Sequence, residues 1–182
     1  MRMVSRKYWT AELVRQLPDD GKRYECVHGE LFVSPSPRPL HQLVLARLAL
    51  AVGNYLEREP VGVSLHSPAD ISWGPDSLVQ PDLYVVDLEQ ARAMSWPAMQ
   101  RLVLAVEVLS PSSVRADRFA KRVLYLQSGV ETYWVVDADN KSVEVWTPGA
   151  IFPVTEEDAL RWKPAGAGGE LVIGLAELFR PI

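Results

Sequence analysis

The chain has 182 residues, 48% of them hydrophobic and 23% charged, with a formal net charge of −4 at neutral pH. That length and composition describe a globular chain with enough apolar content for a sizeable core, and exclude a disordered one. The acidic balance argues against wholesale polyanion binding, and one cysteine, Cys26, excludes an internal disulfide and a cysteine-built zinc centre. No apolar run approaches the roughly 18–20 residues of a membrane span. The N-terminal stretch MRMVSRKYWT carries no signal-peptide apolar region, so a cytoplasmic location is the default expectation.

Taken in order, residues 10–17 predict a short helix capped by Thr10, with Glu12 in its first turn and Pro18-Asp19-Asp20-Gly21 stopping it. Arg23–Val27 and Glu30–Ser34 read as a hairpin turning at His28-Gly29. The proline-rich residues 34–39 form a loop. Residues 40–58 are the longest helical pattern, with Leu43, Ala46, Ala49 and Leu50 as the expected apolar stripe. Two short strands, 62–66 and 69–73, precede a strand over 78–86. A helical piece at 89–94 and a strand at 102–109 follow.

Residues 113–127 predict a helix with Ala116, Phe119, Ala120, Val123, Leu124 and Leu126 on its apolar face, ended by Ser128-Gly129. Strands at 131–137 and Ser142–Trp146 flank a polar turn. The tail holds a further strand pair around residues 166–169 and a last helical turn at 175–179. Without repeats or a long linker, this order predicts one domain over residues 1–182, an α/β sandwich around a mixed sheet.

Two of the apolar strand patterns carry a single carboxylate each: Asp82 in VQPDLYVV and Glu107 in LVLAVEVL. Desolvating a lone carboxylate costs several kcal/mol unless a cation or hydrogen bonds meet it. Either residue alone also fits a strand-end carboxylate paired with arginine. Two of them on candidate neighbouring strands suggest a shared Mg²⁺ or Mn²⁺ site, since hard oxygens suit those ions. Such an ion can polarise a phosphodiester and supply hydroxide.

Asp117, Lys121 and Tyr125, spaced i, i+4 and i+8, share one helix face. Lys121 there is able to reach a carboxylate pair on the sheet, although spacing alone favours an exposed Asp117–Lys121 pair worth a few tenths of a kcal/mol. His41 opens the long helix, either as a packing residue or beside the site. Glu25 and Glu30 are hairpin carboxylates, one of them a candidate for an additional acidic group, and His28 and His66 have no assigned role. The 113–127 helix carries four basic residues and one acidic, a local charge of +3 suited to phosphate contacts or to a solvated face. The glycine-rich residues 165–169 lack the dinucleotide fingerprint, and no Gly-x-Ser-x-Gly elbow occurs.

Val79-Gln80-Pro81-Asp82, then residues 106–113 (VEVLSPSS), Asp117, Lys121 and Tyr125, Gly129-Val130 and residues 133–137 (YWVVD) resemble the Uma-type family of putative restriction endonucleases. Arg23-Tyr24-Glu25, Gly29-Glu30 and His41-Gln42 resemble its N-terminal signature, so the likeness runs from about residue 9 to the end. That family lies in the PD-(D/E)XK nuclease superfamily. The resemblance implies a restriction-endonuclease-like fold: a mixed central sheet of four to five strands flanked by helices, here with extra N-terminal and C-terminal hairpins. It also implies Mg²⁺-dependent DNA phosphodiester hydrolysis with Asp82 and Glu107 as metal ligands.

Where the superfamily places a lysine two residues after the acidic one, this chain has Leu109. Lys121 is the candidate replacement, and Glu30, His41 and Asp117 are candidates for supporting positions. The alternative is a nuclease-fold module without hydrolysis that binds DNA or a protein partner. A homodimer is expected if both strands of a duplex are cut by symmetric sites.

Overall fold

The computed structural model describes residues 7–182, so the first six residues of the N-terminal stretch read above lie outside it. Helix α1 (Ala11–Arg15) starts at Thr10, whose hydroxyl accepts the Leu13 N–H. Strands β1 (Arg23–Val27) and β2 (Glu30–Ser34) pair antiparallel about His28-Gly29, both at positive φ (49° and 78°), as a two-residue hairpin turn requires. Helix α2 (Pro39–Arg58) follows, then β3 (Val63–His66), β4 (Ile71–Gly74), β5 (Ser77–Val79) and β6 (Leu83–Val86). A short α3 (Leu88–Arg92) leads to β7 (Leu102–Val108).

After β7 the chain enters a π-helical turn, Ala116–Lys121, that runs directly into α4 (Arg122–Gln127). Strands β8 (Tyr133–Asp137), β9 (Ser142–Trp146), β10 (Val154–Glu156), β11 (Ala159–Trp162) and β12 (Leu171–Gly174), and helix α5 (Leu175–Leu178), complete it. No helix among the described residues is long and apolar enough to cross a membrane.

The central sheet has six strands in the order β10-β9-β8-β7-β6-β3, not the four to five expected, and only its β7–β8 pair is parallel. The turn-and-helix segment 116–127 makes that parallel crossover, which a hairpin cannot make. A second sheet, β2-β1-β5-β4, absorbs the N-terminal hairpin, and β11 and β12 form the separate C-terminal hairpin. Gly168 and Gly169 in the connection between them donate to Glu59 at the end of α2, 2.7 and 2.9 Å away.

The expected strand over 78–86 is two strands, split at Gln80-Pro81-Asp82 and belonging to different sheets. Pro81 has no amide to give a ladder, so the chain changes sheets there. Asp82 therefore sits in a bend immediately before β6, not inside a strand.

One face of the central sheet packs Val44, Leu48, Val52 and Tyr55 of α2 against Leu83, Val85, Leu104, Val106, Trp134 and Val136. Here the expected α2 stripe fails: Leu50 is 65% exposed, and the buried face runs through His41, Val44, Leu48, Val52 and Tyr55. Leucine, valine and alanine occur on every side of this helix, so period alone does not select the rotation. The other face packs Tyr84, Ala105, Leu109, Tyr133 and Val135 against Leu124 and Tyr125 of α4 and against Ile71 and Val79.

Along β7 the alternation puts Glu107 on the Ala105 face, beneath the 116–127 segment. That segment also reverses expectation. Phe119 is 60% exposed and Val123 is half-exposed, while Asp117, Lys121 and Tyr125 are buried. Its charged stripe is the inner one.

Candidate active site

Four segments bring charge to one place. Register across β6 and β7 pairs Leu83 with Val106, so Asp82, one residue earlier, lies beside Glu107 and Val108. The Val108 N–H donates to Asp82 Oδ2 at 2.9 Å. Arg23, the first residue of β1, donates from Nη1 to Asp82 Oδ1 at 2.8 Å and to the Gln80 carbonyl at 3.1 Å. Alternation places Glu25 on the same face of β1 as Arg23, and Glu25 Oε1 accepts the Gln80 N–H at 2.7 Å.

Lys121 sits between three carboxylates. Its Nζ lies 2.8 Å from Glu25 Oε2, 3.1 Å from Glu107 Oε1 and 3.3 Å from Asp117 Oδ1. Tyr125, one turn on, donates its hydroxyl to Glu107 Oε1 at 2.7 Å. Its ring packs on Tyr133 with centroids 4.9 Å apart, and the Tyr133 hydroxyl donates to the Asp117 carbonyl at 3.0 Å. The π turn is the device that directs Asp117 and Lys121 inward together, and such turns recur at functional sites. The exposed Asp117–Lys121 pair that spacing favours is in fact buried, both partners at 1–2% exposure.

His41, in the first turn of α2, is 6% exposed and faces the same space. Its Nε2 stands 3.5 Å from Asp82 Oδ2, and neither ring nitrogen has a hydrogen-bond partner. Together Arg23, Glu25, His41, Asp82, Glu107, Asp117 and Lys121 line a cavity of about 400 Å³.

Four of these groups are carboxylates (Glu25, Asp82, Glu107, Asp117) and two are permanent cations (Arg23, Lys121), a formal charge of −2 when all four carboxylates are ionised. Burial and the neighbouring charges act on each group in a definite direction. Burial raises Asp82, but His41 and the Arg23 guanidinium outweigh it and hold the carboxyl at about 2. Burial, reinforced by the charges of Asp117, Asp82 and Glu25, pushes Glu107 well above the usual carboxylate range in spite of Lys121. Burial raises Asp117 in the same way. Lys121 is buried too, yet its three carboxylates raise it well above an ordinary lysine.

Of the residues singled out from sequence, Asp82, Glu107, Lys121, Asp117 and His41 converge on the cavity. Glu30 does not. It shares the inward face of the hairpin with Glu25, but it pairs across from Val27 at the turn, where it is exposed and 3.6 Å from Arg115. Glu25 takes the place considered for it, and Arg23 was read only as part of a signature. Alternation groups Arg23, Glu25 and Val27 on one face of β1 but does not say which face carries the site, since Cys26 on the other face is buried as well.

Leu109 is buried in the core beneath the crossover, and the ammonium comes from Lys121 instead. The basic stripe of the 113–127 helix is largely engaged within the chain. Arg118 binds Asp137 and Glu144 at 2.9 and 2.8 Å, Arg122 lies over the Trp146 ring, and Lys121 is inside.

A mixed sheet flanked by helices, with this acidic cavity beside the ends of two neighbouring strands, is the arrangement of a nuclease-like α/β fold. A solved structure from Anabaena variabilis, described as a putative nuclease belonging to DUF820, superposes with a TM-score of 0.79 at 18% identity, over 94% of this chain and 97% of that one. No curated protein matches the sequence. A family model described as "Putative restriction endonuclease" matches residues 11–166, and the chain belongs to that family, Uma2.

Proposed function

We propose that this protein is a divalent-metal-dependent endonuclease that hydrolyses DNA phosphodiester bonds in the cavity between Asp82, Glu107 and Lys121. The observation that carries the reading is the deficit of two positive charges in a buried, oxygen-lined cavity. One Mg²⁺ or Mn²⁺ would cancel it. Among the described residues no group of three His, Cys, Asp or Glu side chains is arranged to hold a metal ion by itself, so water and phosphate oxygens would have to complete its shell.

Asp82 and Glu107 are the residues that would hold the ion. When bound, it would neutralise charge on the scissile phosphate and lower the pKa of a water. The remaining roles belong to the chain. Tyr125 and Lys121 both bond Glu107 Oε1, which fixes that carboxylate through one of its two oxygens. Lys121 supplies positive charge where negative charge develops on the phosphorus oxygens, held in place by Glu25 and Asp117. His41, with both ring nitrogens unpartnered, offers a hydrogen bond to a phosphate oxygen or a water.

The rival reading, a nuclease-fold module without hydrolysis, gains where the replacement lysine cannot approach the carboxylates. A separation of 3.1 Å between Lys121 and Glu107 favours hydrolysis. A homodimer belongs to this proposal, because two symmetric sites suit the two strands of a duplex.

The test is calorimetric titration of Mn²⁺ into the native chain and into Asp82→Ala and Glu107→Ala, with duplex DNA present. Binding in the native chain and its loss in both variants supports the reading. Undiminished binding or cleavage in a folded Asp82→Ala variant overturns it.

A further inference from the structure

Asp82 has two oxygens, and they are held by groups of different kinds. Oδ2 accepts the backbone N–H of Val108, the last residue of β7, a donor fixed by the sheet, and has His41 Nε2 3.5 Å away. Oδ1 accepts the Arg23 guanidinium at 2.8 Å. Of the two cations that contact the site carboxylates Asp82 and Glu107, only Arg23 has a way out: its side chain is 24% exposed, against 3% for Lys121. Its remaining bond at this end is to a single carbonyl, that of Gln80. Gly21 and Lys22, which immediately precede it, line the same cavity together with Ser34, Pro35, Ser36 and Pro37. A doubly charged ion that reaches Oδ1 meets a guanidinium already there, and like charges at that range repel strongly in a site shielded from water.

We propose that Arg23 competes with the divalent ion for Asp82: its guanidinium lies 2.8 Å from Oδ1 and would have to leave that oxygen for an ion to take it. The inference rests on the metal-site reading above and adds a positioning residue to it. Arg23 keeps a buried carboxylate aligned and compensated between metal-binding events. The same bond makes it a competitor that sets how tightly the ion is held.

The two possible roles of Arg23 predict opposite signs. If the arginine only supports the site, Arg23→Gln lets Asp82 lose its alignment and weakens Mn²⁺ binding. If it competes, Arg23→Gln lowers the melting temperature of the metal-free chain yet binds Mn²⁺ more tightly, about tenfold, because a cation has been removed from the ion's position. The experiment is a calorimetric Mn²⁺ titration of the full chain without DNA, on native, Arg23→Gln and Arg23→Lys, with thermal unfolding of each in chelator and in Mn²⁺.

The expected results are tighter binding in Arg23→Gln, an intermediate affinity in Arg23→Lys, and a larger Mn²⁺-induced rise in melting temperature for Arg23→Gln than for native. Should metal-free Arg23→Gln not fold, Arg23→Lys, with its mobile point charge in place of the planar fork, still binds Mn²⁺ more tightly than native. Equal or weaker binding in the folded variants, with the native chain binding normally, overturns the role of Arg23 and leaves the metal site standing. No binding by the native chain overturns the metal site itself and this inference with it.

Discussion

At Glu107 a carboxylate lies in the core sheet with Asp82, Glu25 and Asp117 around it, Lys121 and Tyr125 as donors, and the Arg23 charge across the cavity. Burial and the neighbouring carboxylates push its folded pKa above the ordinary value of 4.5, so the metal-free folded state holds this proton to higher pH than the unfolded chain does. Stability from such a group is fully present below the unfolded value and is lost as pH rises through the folded one. Asp117 acts with the same sign. Asp82, held at about 2, acts in the opposite sense, losing its contribution only as pH falls from about 3.8. The metal-free protein is therefore expected to melt higher at about pH 5 than at about pH 7.5. Glu107→Gln removes the titrating carboxyl while preserving shape, so it should flatten that dependence. It should also raise stability at neutral pH by about 1–2 kcal/mol while abolishing metal binding. Scans of native and variant across pH in chelator test both points. Lys121→Met has the opposite effect on the same cluster. It leaves Glu25, Glu107 and Asp117 without their shared cation, and a denaturant titration should show a loss of about 3–5 kcal/mol.

The elements that deliver these side chains differ in how they are held. Seven consecutive buried residues anchor Glu107 in β7, and both partners of β7 in the sheet are buried along their length. The π turn and α4 are held from below by Tyr125, Leu124 and Ala116, and from the flank by Arg118 on Asp137 and Glu144. The β1–β2 hairpin brings Arg23 and Glu25 and depends on its turn. Gly29 sits at φ 78°, and a Cβ there would run into the exposed ring of Tyr8. The ring is able to yield, so the cost of Gly29→Ala is set mainly by the left-handed backbone, about 1–2 kcal/mol. Arg23 and Glu25 lie toward the other end of the strand, so Mn²⁺ affinity of the folded variant should stay native. A midpoint in urea equal to that of the native chain would count against this account of the turn.

Across the whole molecule, the cavity lies where two sheets, the start of α2 and the crossover meet, so no local segment holds the cluster without the complete fold. An ion that binds there binds only the folded state. Mn²⁺ at about a hundred times its dissociation constant should therefore stabilise the chain by about 2.7 kcal/mol. Melting in chelator should fall below melting in Mn²⁺, and Asp82→Ala should erase the difference. The same preparation in a sedimentation-velocity run tests the proposed dimer, for which a single species of monomer mass is the contrary result.

Much of this was legible before any coordinates. Turn residues locate the hairpin at His28-Gly29, the second apolar run locates β7 while the first merges β5 and β6, and Asp82, Glu107 and Lys121 stand out as charges in apolar company or in a matching motif. These are local properties of the chain, set by backbone preference and by the period of the side chains. Rotation and partnership were not local. The choice of Glu25 over Glu30, the inward charged stripe of residues 116–125, the buried face of α2 and the hold of Arg23 on Asp82 all depend on groups tens of residues away in sequence. A periodic pattern specifies which residues share a face but not which face goes inside. For a charged face the answer turns on whether counter-charges wait there, and only the packed sheets place them.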